Sequence, residues 1–282
     1  MMIDILPPGL RDDEIAAIEI VRRVARDVLA PAAPQVDEEA AFPRAQLDAL
    51  AALGMLGMNL PEAWGGPGLS AMALAASVEA IAGACASTAS AVTAHFLATD
   101  AILIGGDDTL RARYLPAAAR GELLGAFALT EPRAGSNPAD MQCRATATAQ
   151  DYRLQGVKHF ISNGGVADFI VVFAVTNPAA GHRGISAFVV DKATPGLVAG
   201  RPERTMGLKG GHIFELAFDC DIPAANRLGA EGSGFRTAMK VLDNGRIEVA
   251  AMCLGIAQAA LDAAIAWAQQ REIGGQMLSG YQ

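Results

Sequence analysis

The feature that most constrains the fold is a change in hydrophobic periodicity that divides the chain into three segments. Apolar residues recur every three or four positions from Asp12 to about Arg120, which predicts helices. After Gly121 come short runs rich in β-branched and aromatic residues, separated by turn-forming dipeptides, which predict strands. From Gly232 to Arg271 proline is absent and helical spacing returns, which predicts one long helix. The order helical, β, helical predicts an α+β protein.

We therefore predict three parts: a helical amino-terminal domain over residues 1–120, a middle β domain over residues 121–231, and the first helix of a helical carboxy-terminal domain over residues 232–282. The middle domain is expected to be a barrel or a sandwich. Several helices are predicted in the first part, since a residue before proline disfavours helix. The prolines that should separate them are Pro31, Pro34, Pro43 and those of the stretch 61–67.

The composition favours a globular protein that binds small molecules. Hydrophobic residues make up 52% of the 282 residues and charged residues 18%, which excludes a disordered chain. A net charge of -8 disfavours binding to nucleic acid or to an anionic membrane surface. The four cysteines and four histidines lack paired spacing, so no zinc site, other metal site or disulfide framework is predicted.

The chain carries no sequence that indicates export or membrane insertion. The first 13 residues contain acidic residues and two prolines instead of a basic segment followed by an apolar run. The most apolar stretch, residues 71–105, is interrupted by Glu79, His95 and Asp100. Buried helices, no membrane partner and a cytoplasmic location are the expectations.

A nicotinamide-binding Rossmann domain is disfavoured. Neither G-x-G-x-x-G nor a Walker sequence is present, although a glycine-rich turn entering a helix is the usual phosphate cradle. The segment 229–234 is rich in glycine, but the glycines are in the wrong order. It is interpreted as a loop before the long helix.

Six short segments, in order and covering nearly the whole chain, point to one family. They are Pro61-Glu-Ala-Trp-Gly-Gly, Leu129-Thr-Glu-Pro-Arg-Ala-Gly-Ser136, Gly156-Val-Lys-His-Phe-Ile-Ser-Asn163, Met206-Gly with Asp221-Ile-Pro and Asn226-Arg-Leu-Gly, Leu242-Asp-Asn-Gly-Arg246, and Gln270-Arg271. Together they resemble the acyl-CoA dehydrogenase family of flavoproteins. The resemblance implies FAD as cofactor, an acyl-CoA substrate and a homo-oligomer, either tetramer or dimer.

The resemblance also implies which residues bind the ligands. An aromatic wall with a few fixed hydrogen bonds suits a planar, partly polar flavin ring. The residues matched to FAD contacts are Phe127, Leu129, Thr130, Gly135, Ser136, Phe160, Ile161 and Ser162, with Arg271 and Gln282 reaching the FAD of a neighbouring subunit. The residues matched to the substrate are Ser136, Asp243, Asn244, Gly245 and Arg246. One departure concerns the inter-subunit part: where the family usually has R-x-x-F-G, Gly274 replaces the aromatic residue.

The catalytic base is not identified within the chain. In the family a carboxylate removes the α proton of the thioester while a β hydride passes to the flavin. Most members carry this glutamate in the third domain, which corresponds to a position beyond Gln282. Another branch carries it immediately before the arginine matched by Arg246, where this chain has Gly245. Glu248, one helical turn further on, is a weak substitute, since a solvated or subunit-facing helix carboxylate is the commoner reading.

Three hypotheses about function follow. The first is FAD-dependent α,β-dehydrogenation of an acyl-CoA in fatty acid or branched-chain amino acid catabolism, with an electron-transferring flavoprotein as acceptor and a lean towards short or branched acyl chains. The second is a non-catalytic acyl-CoA-binding or partner-binding relative. The third is an acyl-CoA oxidase or flavin monooxygenase on the same fold.

Overall fold

The computed structural model describes residues 6–281, and their elements follow the predicted order. The helices before the sheet are α1 Asp12–Val24, α2 Ala30–Glu38, α3 Arg44–Ala51, α4 Ala71–Ala84, α5 Ala86–Gly105 and α6 Asp108–Ala119. Two of them begin with a side-chain cap: Ser70 accepts the Ala73 N–H before α4, and Asp107 accepts the Leu110 N–H before α6. The predicted helical first segment is confirmed.

Two prolines do not separate helices as predicted. The chain runs from α1 through a π-helical turn, Ala25–Leu29, directly into α2, which contains both Pro31 and Pro34. Pro31 lies in the first turn of α2, where a missing N–H costs least, and the wider π turn precedes it. The prediction was therefore wrong at these two positions. It holds at Pro43, which directly precedes α3.

The middle segment forms one mixed sheet of eight strands. The strands are β1 Gly125–Ala128, β2 Arg144–Ala147, β3 Asp151–Ser162, β4 Phe169–Val175, β5 Ile185–Asp191, β6 Leu197–Ala199, β7 Ile213–Pro223 and β8 Arg227–Leu228. Their order is β6-β7-β3-β2-β4-β5-β8, with β1 pairing parallel to β4. The outermost strands β6 and β8 do not pair with each other, so the sheet is open and sandwich-like and the barrel alternative is wrong. The α+β class is confirmed.

The long helix α7 spans Gly234–Gln270, close to its predicted limits, and packs against α4 and α5. Contact with α4 is close because Gly255 has no side chain. A Cβ there would overlap the Glu79 carbonyl oxygen and lie 3.0 Å from the Gly83 nitrogen. The opposite face of α7 exposes several large apolar side chains, namely Ile247, Val249, Leu254, Ile256, Leu261, Ile265 and Trp267.

Two helices in the described residues, α5 and α7, are long and apolar enough to cross a membrane by length and composition alone. Of the most apolar window of each helix, 72% is buried inside the protein for α5 and 17% for α7. The burial of α5 is that of a core helix, while α7 is covered along one face only. The expectation of no membrane partner remains a prediction.

The helical segment and the sheet are joined by polar bonds at β1. The Nδ1 atom of His95, which is buried in α5, accepts the N–H of Gly125 at 3.0 Å. The side-chain amide of Asn163 donates to the carbonyl of Ala91 in α5 and to that of Gly125. Burial lowers the pKa of His95 to about 4, which keeps its ring neutral and able to accept. These bonds fix β1 to α5. The domain limits themselves remain predictions.

Candidate functional site

A cavity of about 500 Å³ lies where α5, the sheet and α7 meet. Its volume is in the range of cofactor and ligand pockets. All eight residues of the middle segment matched to flavin contacts line it, and so does Arg246. These residues are Phe127, Leu129, Thr130, Gly135, Ser136, Phe160, Ile161 and Ser162. Sequence segments up to 35 positions apart are thus brought to one cavity, and their assignment to flavin binding remains a prediction.

Phe160 reaches the cavity because β3 is irregular at this point. The register of β3 against β7 shifts between Lys158 and Ile161, which is the geometry of a bulge that re-aims a side chain. Phe160 has a φ of +57° and is 62% exposed. A bulky residue rarely adopts this backbone conformation, and such strain clusters at binding sites. The exposed ring therefore has the character of a ligand contact and not of a core aromatic.

A buried ion pair holds the loop that lines the other side of the cavity. Lys158 is completely buried, and its Nζ donates to the Glu131 carboxylate at 2.8 Å and to the Leu129 carbonyl at 2.9 Å. Glu131 also accepts the backbone N–H groups of Gln142 and Cys143. Burial lowers the pKa of Lys158, and the negative charge of Glu131 opposes that shift. The backbone of Leu129 is thereby fixed at the cavity.

Most cavity residues contributed by the helices were not predicted from the sequence. They are Ser90, Thr93, Ala94 and Leu97 on α5, and Met239, Leu242, Val249 and Met252 on α7, together with Pro138. One weak signal was available: Ser90 and Thr93 are three residues apart and therefore share a face of α5, although the helix carries other polar residues as well. The α7 residues carry no such signal, because methionine and leucine at helical spacing also describe a core face.

The residues matched to the substrate are only partly brought together. Ser136 and Arg246 line the cavity, and Arg246 is paired with the exposed carboxylate of Asp243. Gly245 is buried, and a Cβ there would lie 2.6 Å from Leu97 Cδ2. Asn244 faces away from this cavity and lines a different one. The backbone of α7 is thus so close to Leu97 at Gly245 that there is no room for a side chain.

Of the two residues matched to an inter-subunit contact, Arg271 does not line the cavity. Arg271 follows α7 and is exposed, and Gln282 lies outside the described residues. A short hairpin follows, with strands β9 Glu272–Ile273 and β10 Gln276–Met277. The glycines between them, Gly274 and Gly275, have φ values of +60° and +85°, as a tight hairpin turn requires. Gly274, which replaces the aromatic residue of the family pattern, thus serves as a turn residue of this hairpin.

Glu248 lies in a second cavity, of about 170 Å³, which shares no lining residue with the first. The side chain is 2% exposed and neither carboxylate oxygen has a hydrogen-bond partner. Burial, reinforced by the negative charge of Asp100, raises the pKa of Glu248 to about 8. Its use as a base in the first cavity would require the carboxylate to pass the contact between α5 and α7.

Replacing Phe160 by glycine should separate binding from stability. The change removes the strain of a positive φ, which is worth about 1 kcal/mol, and loses little packing because the ring is mostly exposed. The free energy of unfolding should change by less than about 1 kcal/mol, whereas flavin affinity should fall by about tenfold through loss of ring contact. Urea unfolding and flavin fluorescence titration measure the two effects. A large loss of stability with unchanged flavin affinity would contradict the assignment of Phe160.

The stability of the protein should fall as pH rises, because of Glu248. Its carboxyl has a raised pKa, about 8 against an ordinary 4.5, so the folded state binds the proton more tightly than the unfolded state. The contribution of Glu248 to stability is therefore full below pH 4.5 and is lost as pH approaches 8, by a few kcal/mol at about 1.4 kcal/mol per pKa unit. Glu248→Gln should remove this slope in a buffer free of divalent cations. Urea unfolding at several pH values checks it, and a slope identical in both proteins would refute it.

Comparison with known protein families matches all three segments. Residues 11–122 match the acyl-CoA dehydrogenase N-terminal domain, residues 126–220 the middle domain, and residues 232–282 the C-terminal domain. The fold and the cavity define a protein of three parts, α, β and α, with a ligand site at their junction. The chain belongs to the acyl-CoA dehydrogenase family, an enzyme family of oxidoreductases. The family predicted from the sequence is confirmed.

Two curated relatives illustrate the similarity. Cyclohex-1-ene-1-carbonyl-CoA dehydrogenase of Geobacter metallireducens is 44% identical over 264 residues, which are 93% of this chain and 70% of the relative. An acyl-CoA dehydrogenase of Bacillus subtilis is 40% identical over 92% of this chain and 69% of its own length.

Solved structures show the same fold. Butyryl-CoA dehydrogenase of Megasphaera elsdenii superposes with a TM-score of 0.94 at 36% identity, covering 98% of this chain and 74% of that one. A chain from a structural study of the electron transferring flavoprotein of Acidaminococcus fermentans superposes with a TM-score of 0.95 at 37% identity, covering 98% of this chain and 73% of that one.

Proposed function

We propose that the chain binds FAD and an acyl-CoA thioester in the 500 Å³ cavity and takes part in α,β-dehydrogenation of the acyl group. The observation that carries this proposal is the exposed ring of Phe160, held on a strained backbone at a cavity rich in backbone and hydroxyl groups. A flat, partly polar ligand fits such a site, since it needs an aromatic surface on one side and fixed hydrogen bonds at its edge.

Under this proposal the lining residues contact three parts of FAD: the ring, its pyrimidine edge and the phosphates. Phe160, Ile161 and Ser162 would lie along the flavin ring, and Leu129 and Thr130 would bind its pyrimidine edge through backbone groups and the Thr130 hydroxyl. Gly135 offers open space at its Cα, so its backbone N–H can approach a phosphate closely. FAD bound here would supply the acceptor for the hydride that leaves the β carbon of the acyl chain.

The proton step needs a carboxylate that this cavity does not show. Among the described residues, the lining contains Arg246 but no aspartate or glutamate. Glu248 lines the second cavity, which shares no lining residue with this one. We propose that Glu248 is not the base and that, as the resemblance implies, the base corresponds to a position beyond Gln282. The hydroxyls of Ser90 and Thr93 are placed to orient the ligand.

The substrate class and the partners are also proposals. The relatives named for cyclohexenecarbonyl-CoA and butyryl-CoA support a short or cyclic acyl group. The similarity to a chain from the study of an electron transferring flavoprotein supports such a flavoprotein as electron acceptor. We further propose a homo-oligomer, which would cover the exposed apolar face of α7, and a cytoplasmic location.

Flavin titration of the purified chain tests the cofactor site. We expect quenching of FAD fluorescence on binding, and affinity about tenfold lower for Thr130→Val because one hydrogen bond is lost. Thr109→Val, exposed on α6, is the matched control and should bind like the unchanged chain. Failure to bind FAD at any concentration tested, or equal affinity for both variants, would contradict the site.

A second experiment distinguishes dehydrogenase from oxidase. With FAD bound and reduced by dithionite in the presence of butyryl-CoA, admission of oxygen should give slow reoxidation if the chain is a dehydrogenase. Rapid oxygen consumption would favour the oxidase alternative. Binding of butyryl-CoA without flavin bleaching is expected of this chain, because no carboxylate of the described residues lines the cavity, and rapid bleaching would contradict that assignment.

A further inference from the structure

The second cavity is lined by polar side chains that have no role in the proposed function. It lies between the start of α4, α5 and α7, and it shares no lining residue with the first cavity. Its volume of about 170 Å³ is room for an ion with several waters. Its polar lining comes from Asn59, Asp100, Asn244 and Glu248.

Three oxygen acceptors at this cavity have no partner. Both carboxylate oxygens of Glu248 are buried without a hydrogen bond, and so is Oδ1 of Asn59. The Asn59 amide is fixed in orientation, because its Nδ2 contacts the acceptors Asp100 Oδ1, Thr99 Oγ1 and the Phe96 carbonyl. Oδ1 of Asn59 therefore remains a free acceptor at the cavity. Buried polar groups are rarely left unpaired, so each of these calls for a ligand.

The ionisable side chains that line the cavity are all acidic. Asp100 from α5 and Glu248 from α7 are its titratable residues, while α4 contributes only Ala71, Leu74 and Ala75. No lysine, arginine or histidine lines it. Asp100 accepts the side-chain amides of Asn59 and Asn244, which are neutral. A proton on Glu248 would remove one charge but leave the carboxyl without a hydrogen-bond partner.

We propose that this cavity is a binding site for a divalent metal ion of the Ca²⁺ or Mg²⁺ type, held by the oxygens of Glu248, Asp100 and Asn59, with water completing its shell. Hard cations take carboxylate and amide oxygens, and about six to eight of them in the case of Ca²⁺. No cluster of three or more His, Cys, Asp or Glu side chains occurs in the described residues, so this site relies on two carboxylates and amide oxygen.

Metal binding at this site should be coupled to the loss of a proton. The metal ion requires the ionised form of Glu248, whose pKa is raised to about 8 by burial and by Asp100. Binding at neutral pH therefore displaces a proton from Glu248. Affinity should therefore rise with pH as long as Glu248 is protonated in the metal-free chain.

Isothermal titration of the chelator-treated 282-residue chain with CaCl₂, MgCl₂, KCl and guanidinium chloride tests the site. We expect one saturable site for a divalent ion, and proton release seen as a dependence of the heat on the buffer. Glu248→Gln should weaken binding by at least about tenfold, and Asp100→Asn should weaken it as well. Glu38→Gln, exposed at the end of α2, is the control and should bind like the unchanged chain.

Glu248→Gln keeps the shape of the side chain and is neutral at every pH, as the protonated Glu248 is at neutral pH, so it should fold at least as well as the unchanged chain. Three results would overturn the proposal. They are no saturable binding of either divalent ion, divalent binding that is equal in Glu248→Gln, and saturation by guanidinium or K⁺ in place of the divalent ions.

Discussion

Replacing Lys158 by methionine is expected to lower the free energy of unfolding by about 3–5 kcal/mol, because it leaves Glu131 as a buried carboxylate without its cation. The remaining donors to Glu131, the N–H groups of Gln142 and Cys143, do not compensate a full charge. The Leu129 carbonyl also loses its donor, so the loop at the flavin cavity should loosen. Urea unfolding measures the first effect and FAD titration the second.

Lys209→Met is the matched control for Lys158→Met. Lys209 pairs with Asp37 at the surface, where both side chains are largely exposed. Such pairs contribute about 0–1 kcal/mol, so this variant should unfold and bind FAD like the unchanged chain. Equal losses of stability in the two lysine variants would show that the buried pair with Glu131 has no special role.

Gly255→Ala is expected to cost about 1–3 kcal/mol of unfolding free energy, although alanine is the better helix former. The added Cβ would overlap the Glu79 carbonyl oxygen, a backbone atom of α4 that can move only if the whole helix moves. Separation of α4 from α7 would also loosen the packing around Ala251, which is buried at this interface. Thermal and urea unfolding measure the loss.

Gly245→Ala provides the comparison, since it makes the same chemical change ten residues earlier in α7. Its Cβ meets only the end of the Leu97 side chain, which can rotate. The gain in helix propensity of about 1 kcal/mol should offset the cost of moving Leu97, so stability should change by less than about 1 kcal/mol. If Gly245→Ala were the more destabilising of the two, the close approach of α4 and α7 would not depend on Gly255.

The element order could be predicted from the sequence because each segment has its own hydrophobic period. The π turn of Ala25–Leu29 could not, since it is set by how α1 and α2 pack on the helical core and not by a local residue pattern. The hairpin of β9 and β10 was missed although Gly274-Gly275 is a known hairpin turn signal. The strands there are only two residues long, too short for alternation to be visible.

On the β side of the cavity every lining residue except Pro138 was named from the sequence, and on the helical side only Arg246 was, while the roles of all of them remain predictions. Short segments such as Thr130–Ser136 and Phe160–Ser162 have distinctive order and spacing, and the sheet brings them together. The helical contribution depends on which face of α5 and α7 turns inward, and Ala94 or Met239 on that face looks like any core residue. Asn244 and Glu248 were misleading for the same reason: they are neighbours of Arg246 in sequence but lie on another face of α7.

The bonds at β1 bear on how the protein can be divided. Asn163 links the Ala91 and Gly125 carbonyls, and His95 accepts the Gly125 N–H, so backbone groups of the sheet and of α5 depend on each other for pairing. Parting the two would break all three hydrogen bonds and replace them only with bonds to water. The cooperative unit of denaturation is therefore expected to include both, whatever boundary is drawn near residue 120. A chimera that exchanges the middle segment between relatives would have to carry α5 together with β1.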